Sequence, residues 1–255
     1  MRRLGGLCFL ASAYLACGCA PAGPAAAPAA AEPRAVVSRS VTGDGVLVAT
    51  LDNGMTVLLK ATRAAPVVCV RGYVRAGGLY EREYLGCGLS HLLEHLVAKE
   101  SIHETPGGGE AHEQRADEAD EIGGQANAYT SLAHTCYYIA AAAGKTMECI
   151  DLIADQLARP RITPEDFRRE HGVVQREQEL GSESPSRLLW ETHAASAFGS
   201  HPAAVPVIGH AGPLRGVGLE DVLAYHARTY VPQNMVFVVV GDVDVLVVGG
   251  TSGGV

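Results

Sequence analysis

The chain has 255 residues, 47% of them hydrophobic and 19% charged, and a formal charge of −8. That apolar fraction supports a packed core and excludes disorder for most of the chain, while the acidic balance gives no footprint for nucleic acid. Seven cysteines are too sparse for a disulfide scaffold.

Residues 1–19 read as an export signal. Arg2 and Arg3 form a basic start, and Leu4 to Leu15 supply an apolar run too short to span a bilayer. Tyr14-Leu15-Ala16-Cys17 looks like a bacterial lipoprotein cleavage box, with Cys17 the lipidated residue and Cys19 the competing site. The expected location is therefore periplasmic or cell-envelope, on a lipid anchor. Residues 20–40, Pro/Ala-rich through residue 35, are expected to be a tether.

Val46–Thr50 and Met55–Lys60 are β-rich runs around Asp52-Asn53-Gly54, which predicts a hairpin. Val67–Val74 is a third strand. Leu89, Leu92, Leu93, Leu96 and Val97 recur with helical period, so Leu89–Lys99 is a helix. Residues 100–112 are polar and glycine-containing, a loop; Glu113–Ile122 is a short helix closed by Gly123 and Gly124. Ala126–Ser131 and Thr135–Ala142 form a second strand pair. Thr146–Ala158 is amphipathic through Met147, Ile150, Ile153, Ala154 and Leu157, and Pro160 ends it. Thr163, Pro164 and Asp166 open a helix running to about Leu180. Glu220–Tyr230 is a last helix and Met235–Val240 a buried strand. The order defines an α+β fold, a mixed and largely antiparallel sheet packed with helices.

The chemistry lies in His91-Leu92-Leu93-Glu94-His95. Histidines four apart project from one face of a helix, and Glu94 shares that face. Two neutral imidazoles one turn apart can hold zinc, and a carboxylate beside them can take a proton from water. This is the inverted order of the zinc-protease helix motif. A third ligand is required. Glu170 and Glu177 lie seven apart, two turns along one face of the Thr163 helix, and by spacing either can reach the metal.

These residues carry a resemblance. The chain resembles the pitrilysin/insulinase family of zinc peptidases, which includes the mitochondrial processing peptidases, with HxxEH at 91–95 and ExxxxxxE at 170–177. The likeness extends to Gly123-Gly124-Gln125-Ala126-Asn127-Ala128-Tyr129-Thr130-Ser131, to Thr135-Cys136-Tyr137-Tyr138, to His201-Pro202 and Pro206-Val207-Ile208-Gly209, and to residues 219–244. It implies one Zn2+ per chain on His91, His95 and Glu177, Glu94 as general base, and Glu170 as a carboxylate supporting the ligands. It also implies an extended peptide substrate added as a strand along Asn127, Ala128, Tyr129 and Thr130. Between His95 and Glu177 lie 81 residues, more than the family's usual spacing, and the excess falls in the loop at 100–112.

The expected organisation is a catalytic subdomain at 41–212 and the start of a second, truncated one at 213–255. The chain stops where the family continues, so a companion subunit or a missing second half is expected to complete a clamshell. The expected function is a zinc-dependent endopeptidase; the alternative is a zinc-binding but proteolytically silent scaffold or assembly subunit. Cys69, Cys87, Cys136 and Cys149 read as small hydrophobes whose pairing spacing does not decide. His103 and His112 are loop histidines rather than a second metal site, and Trp190 reads as a packing residue.

Overall fold

The structure, a computed structural model, describes residues 35–98 and 119–244. Seven strands form one sheet: β1 (Val36–Val41), β2 (Leu47–Leu51), β3 (Thr56–Ala61), β4 (Val67–Val74), β5 (Gln125–Thr130), β6 (Thr135–Ala142) and β7 (Met235–Gly241). Their order across the sheet is β1-β2-β3-β7-β4-β6-β5, and β3–β7 is the parallel pair. The mixed, largely antiparallel α+β fold is the expected one.

The β2–β3 hairpin turns at Asp52-Asn53-Gly54. Gly54 adopts a φ of 85°, its N–H donates to the Leu51 carbonyl at 2.9 Å, and Asn53 Oδ1 accepts from Met55 N–H at 3.1 Å. Strand alternation then sorts the side chains. Val57, Leu59, Val68, Val70, Tyr137, Ile139, Phe237 and Val239 are buried and join the core with helices α1 (Leu89–Ala98) and α2 (Thr146–Ala158). The five apolar residues that predict α1 are all fully buried.

Helix α3 (Pro164–Ser182) starts at the expected capping box: the Asp166 N–H donates to Thr163 Oγ1 at 3.1 Å and the Thr163 N–H to Asp166 Oδ2 at 3.4 Å. Its buried stripe is Asp166, Glu170, Val174 and Gln178, four apart and mostly polar. Helices α4 (Pro185–Phe198) and α5 (Leu219–Thr229) follow.

Several expectations need correction. Residues 36–40, assigned to the tether, belong to β1, which pairs with β2; all six of its residues are exposed, so no burial pattern announces it. The division at 212 does not hold. β7 lies between β3 and β4 in the middle of the sheet, and α5 buries Val222 and Tyr225 in the same core, so residues 213–244 complete the first fold rather than begin a second. The buried stripe of α2 is Cys149, Ile153, Gln156 and Leu157, while Met147 stays 47% exposed. Trp190 is 66% exposed on α4, a helix the sequence reading lacks, because Leu188, Leu189 and Trp190 face outward and leave no apolar stripe. The four described cysteines are free, Cys136 and Cys149 buried. The loop at 100–112, with His103 and His112, and the signal with Cys17 and Cys19 lie outside the described residues; of the helix expected at 113–122, only its end, from residue 119, is described.

Candidate metal centre

Helix α1 is fixed at both ends before any ligand is considered. Glu81, 2% exposed, accepts the Ser90 N–H at 2.8 Å, placing a carboxylate at the helix's positive end. Burial pushes that carboxyl up to about 7, opposed by the backbone donors of Ser90, Gly88 and Leu89. Gly88 has a φ of 68°, and a Cβ there would fall 2.1 Å from the Ile208 carbonyl oxygen. Gln178 on α3 donates to that same Ile208 oxygen at 2.8 Å. The loop at 206–209 thus braces α1 against α3, the two helices that carry the candidate ligands. At its other end, α1 receives a bond at the Val97 carbonyl from Gln156 Nε2 at 3.0 Å.

The two helices bring His91, His95 and Glu177 together, their donor atoms all within 4.8 Å of one another. Glu177 Oε2 lies 3.5 Å from His95 Nε2 and 3.9 Å from His91 Nε2. A tetrahedral zinc ion with bonds of about 2.0–2.1 Å separates its ligand atoms by about 3.3–3.4 Å, so the Glu177–histidine distances are close to those of such a site and the widest separation, within 4.8 Å, closes on binding. His91 carries a lowered pKa, about 4, from burial first, then from His95 and Arg187, and is therefore neutral near pH 7. Its Nδ1 is buried without a hydrogen-bond partner, and Nε2 is the nitrogen turned to the group.

Glu170 takes a different place. It is 2% exposed, and its Oε2 lies 3.2 Å from His95 Nδ1, leaving the opposite ring nitrogen for a metal. Arg169 Nε donates to its other oxygen at 3.1 Å and Arg169 Nη2 reaches Asp166 at 2.9 Å, so the buried carboxylates of α3 are matched by a cation.

Glu94 faces β5, where the Thr130 hydroxyl donates to its Oε2 at 2.9 Å. Thr130, expected to meet substrate, thus holds Glu94 in place. β5 is the terminal strand, and its outer edge has no strand partner among the described residues. Ala128 and Thr130 stand on the α1 side; Tyr129 stands on the opposite face with Tyr73 and Cys136, and Asn127 shares its alternation. A pocket of about 240 Å³ opens beside Glu94 and His95, walled by Ala98, Ala128, Ile139 and Leu152. Arg187 on α4, whose charge acts on His91 and whose Nη1 donates to the Glu177 carbonyl at 3.5 Å, was not singled out from sequence; it has no motif and reaches the site only through the fold.

The fold carries a His-His-Glu cluster able to hold a metal ion, and the comparisons give its family. The model of the insulinase family of peptidases (M16) matches residues 56–211. An uncharacterized zinc protease of Mycobacterium leprae is 31% identical over 78% of this chain and 43% of its own length. A protein of Arabidopsis thaliana named "Probable mitochondrial-processing peptidase subunit beta, mitochondrial" is 29% identical over 77% of this chain and 36% of its own. Among solved structures, a protease from Helicobacter pylori superposes with a TM-score of 0.70 at 26% identity, over 79% of this chain and 47% of that one. The chain belongs to the insulinase (M16) family and spans less than half the length of these relatives.

Proposed function

We propose that the chain is the catalytic part of an exported zinc metalloendopeptidase that cleaves extended peptides. The observation that carries this reading is the convergence of His91 Nε2, His95 Nε2 and Glu177 on one point, with Glu94 on the same helix. Those three residues hold the zinc. The ion, when bound, supplies Lewis acidity towards a peptide carbonyl and an attacking water.

The chain's own groups do the rest. Glu94, oriented by the Thr130 hydroxyl, takes the proton of the attacking water and returns it to the departing amine. Glu170 holds the His95 ring through Nδ1. The open edge of β5 binds the substrate backbone as an added strand, which selects for an extended chain with little regard to its sequence. The pocket between Glu94, His95 and Leu152 takes one substrate side chain. Export is supported by the pattern of residues 1–19, and a lipid anchor at Cys17 or Cys19 by the cleavage box. Because the relatives are about twice as long, full activity belongs to an assembly that includes a second half, supplied by a longer chain or a companion.

Metal analysis beside peptide cleavage tests this. Zinc is expected at one per chain, lost sharply in Glu177→Gln. Glu94→Gln is expected to keep its zinc while cleavage by the completed assembly falls about 10²–10⁴-fold. Unchanged zinc in Glu177→Gln, or unchanged cleavage in Glu94→Gln, refutes the assigned roles.

A further inference from the structure

The three candidate ligands are not held alike. The side chains of His91 and His95 are 19% and 11% exposed, and Glu170 holds the His95 ring. The Glu177 side chain is 41% exposed and stands within two turns of the end of α3, where a helix opens most easily. Gly181 follows one turn later, still within the helix, where glycine is a weaker helix former than alanine. It does not take the positive φ of a helix-ending glycine, so it is no left-handed cap. A ligand on such a turn needs support from outside its own helix.

Arg187 on α4 supplies it. Its Nε donates to Glu191 Oε1 at 2.7 Å, one turn along the same helix, and its Nη1 donates to the Glu177 carbonyl at 3.5 Å. The side chain therefore ties the ligand-bearing turn of α3 to α4. To do so it crosses Gly181. An added Cβ there would overlap Arg187 Nη1 and lie 2.6 Å from Cζ and 3.0 Å from Cδ. This crossing accounts for the glycine, since any side chain at 181 would close the passage. The Arg187 charge reaches His91, but the Glu191 carboxylate beside it weakens its repulsion of a metal cation.

We infer that Arg187 is a positioning residue for Glu177, and that Gly181 is the opening through which it acts. The inference rests on the proposed metal centre and gives the third ligand a support, as Glu170 supports His95. A tether and a charge act with opposite signs. Removing a bare cation beside the site would tighten the binding of a divalent ion, whereas removing a tether loosens it. A general packing role differs again, because it would act whether or not Glu177 is present.

The test uses the full chain and zinc itself, with affinity read by competition against a chromophoric chelator and thermal midpoints showing that each variant folds. Arg187→Gln is expected to weaken zinc about tenfold, the loss typical of a group that orients a ligand. Arg187→Lys keeps the charge but not the fork, and is expected to weaken it as much. Gly181→Ala is expected to weaken zinc similarly while the metal-free thermal midpoint stays level or rises, because alanine favours the helix and its Cβ meets only the end of a flexible side chain. In a Glu177→Gln background, Arg187→Gln is expected to add no further loss. Unchanged or tighter zinc in Arg187→Gln, recovery in Arg187→Lys, or an equal loss with and without Glu177 overturns the positioning role. So does a fall in the metal-free midpoint of Gly181→Ala that matches its loss of zinc. Unchanged zinc in Glu177→Gln is a separate result, which overturns the ligand assignment itself.

Discussion

The two faces of the sheet are made by the same seven strands and have opposite fates. On the first, Val68, Val70 and Val74 lie under helices, and packing is so close at Gly72 that an added Cβ would fall 2.4 Å from Leu157 Cδ1 and 3.0 Å from Ile153 Cγ2. On the second, Val236, Val238 and Val240 are just as apolar, yet the first two are only half-buried and Val240 is 39% exposed. Everything proposed for catalysis hangs from the first face, through α1, α3 and the inward side of β5. Alternation along a strand therefore says which residues stand together, but only contacts from elsewhere in the chain say which side becomes the core.

The sharpest way to break this comparison is to truncate one apolar side chain to alanine on each side. Leu93→Ala in the fully buried face of α1 is expected to cost about 2–5 kcal/mol. Val238→Ala on the open face is expected to cost less than about 1 kcal/mol in the isolated chain, since little packing is lost. Urea unfolding of the two variants decides it, and similar losses would mean that the second face is covered in the isolated chain.

An intermediate effect comes from pH. Glu81 on the covered side has a folded pKa of about 7, above the ordinary 4.5. Between those values the folded chain binds more protons than the unfolded one, so this group's contribution is most favourable below about pH 4.5 and declines as pH rises towards 7. Relative to Glu81→Gln, the wild type is expected to lose about 2 kcal/mol between roughly pH 5 and pH 8. Parallel stability curves for the two proteins across that range would show that Glu81 does not titrate as described.

The smallest effect belongs to the outer surface. Trp190→Ser, at a side chain 66% exposed, is expected to shift stability by no more than about 0.5 kcal/mol. A larger loss in thermal unfolding would show that α4 is packed against something in the isolated chain.

Much of this was legible in the sequence. The leucine period of α1, the turn at Gly54 and the capping box at Thr163 are local signals, and each sits where the sequence puts it. The histidine pair was legible because four residues along a helix fix a geometry by themselves. The division of labour between Glu170 and Glu177 was not, from spacing alone. It depends on how α3 crosses α1, which sends one carboxylate to His95 Nδ1 and the other to both Nε2 atoms. The bracing loop at 206–209 and the placing of Arg187 were equally hidden, because their partners lie far along the chain. The central position of β7 was hidden for the same reason: nothing in Met235–Gly241 encodes its neighbours on β3 and β4.

That position has a consequence for how the molecule is made. Strands β3 and β4 leave the ribosome early and end up on either side of a strand synthesised more than 160 residues later. Until β7 arrives, the nascent chain holds two part-sheets, each with an unpaired inner edge of the kind that recruits other strands. The domain-by-domain rule of folding during synthesis then gives no early product from residues 35–234, because a strand that appears much later closes the first ones. Long-range parallel pairing is also slow. A chaperone that shields β-edges has most to do on this protein in the interval before residue 235 emerges.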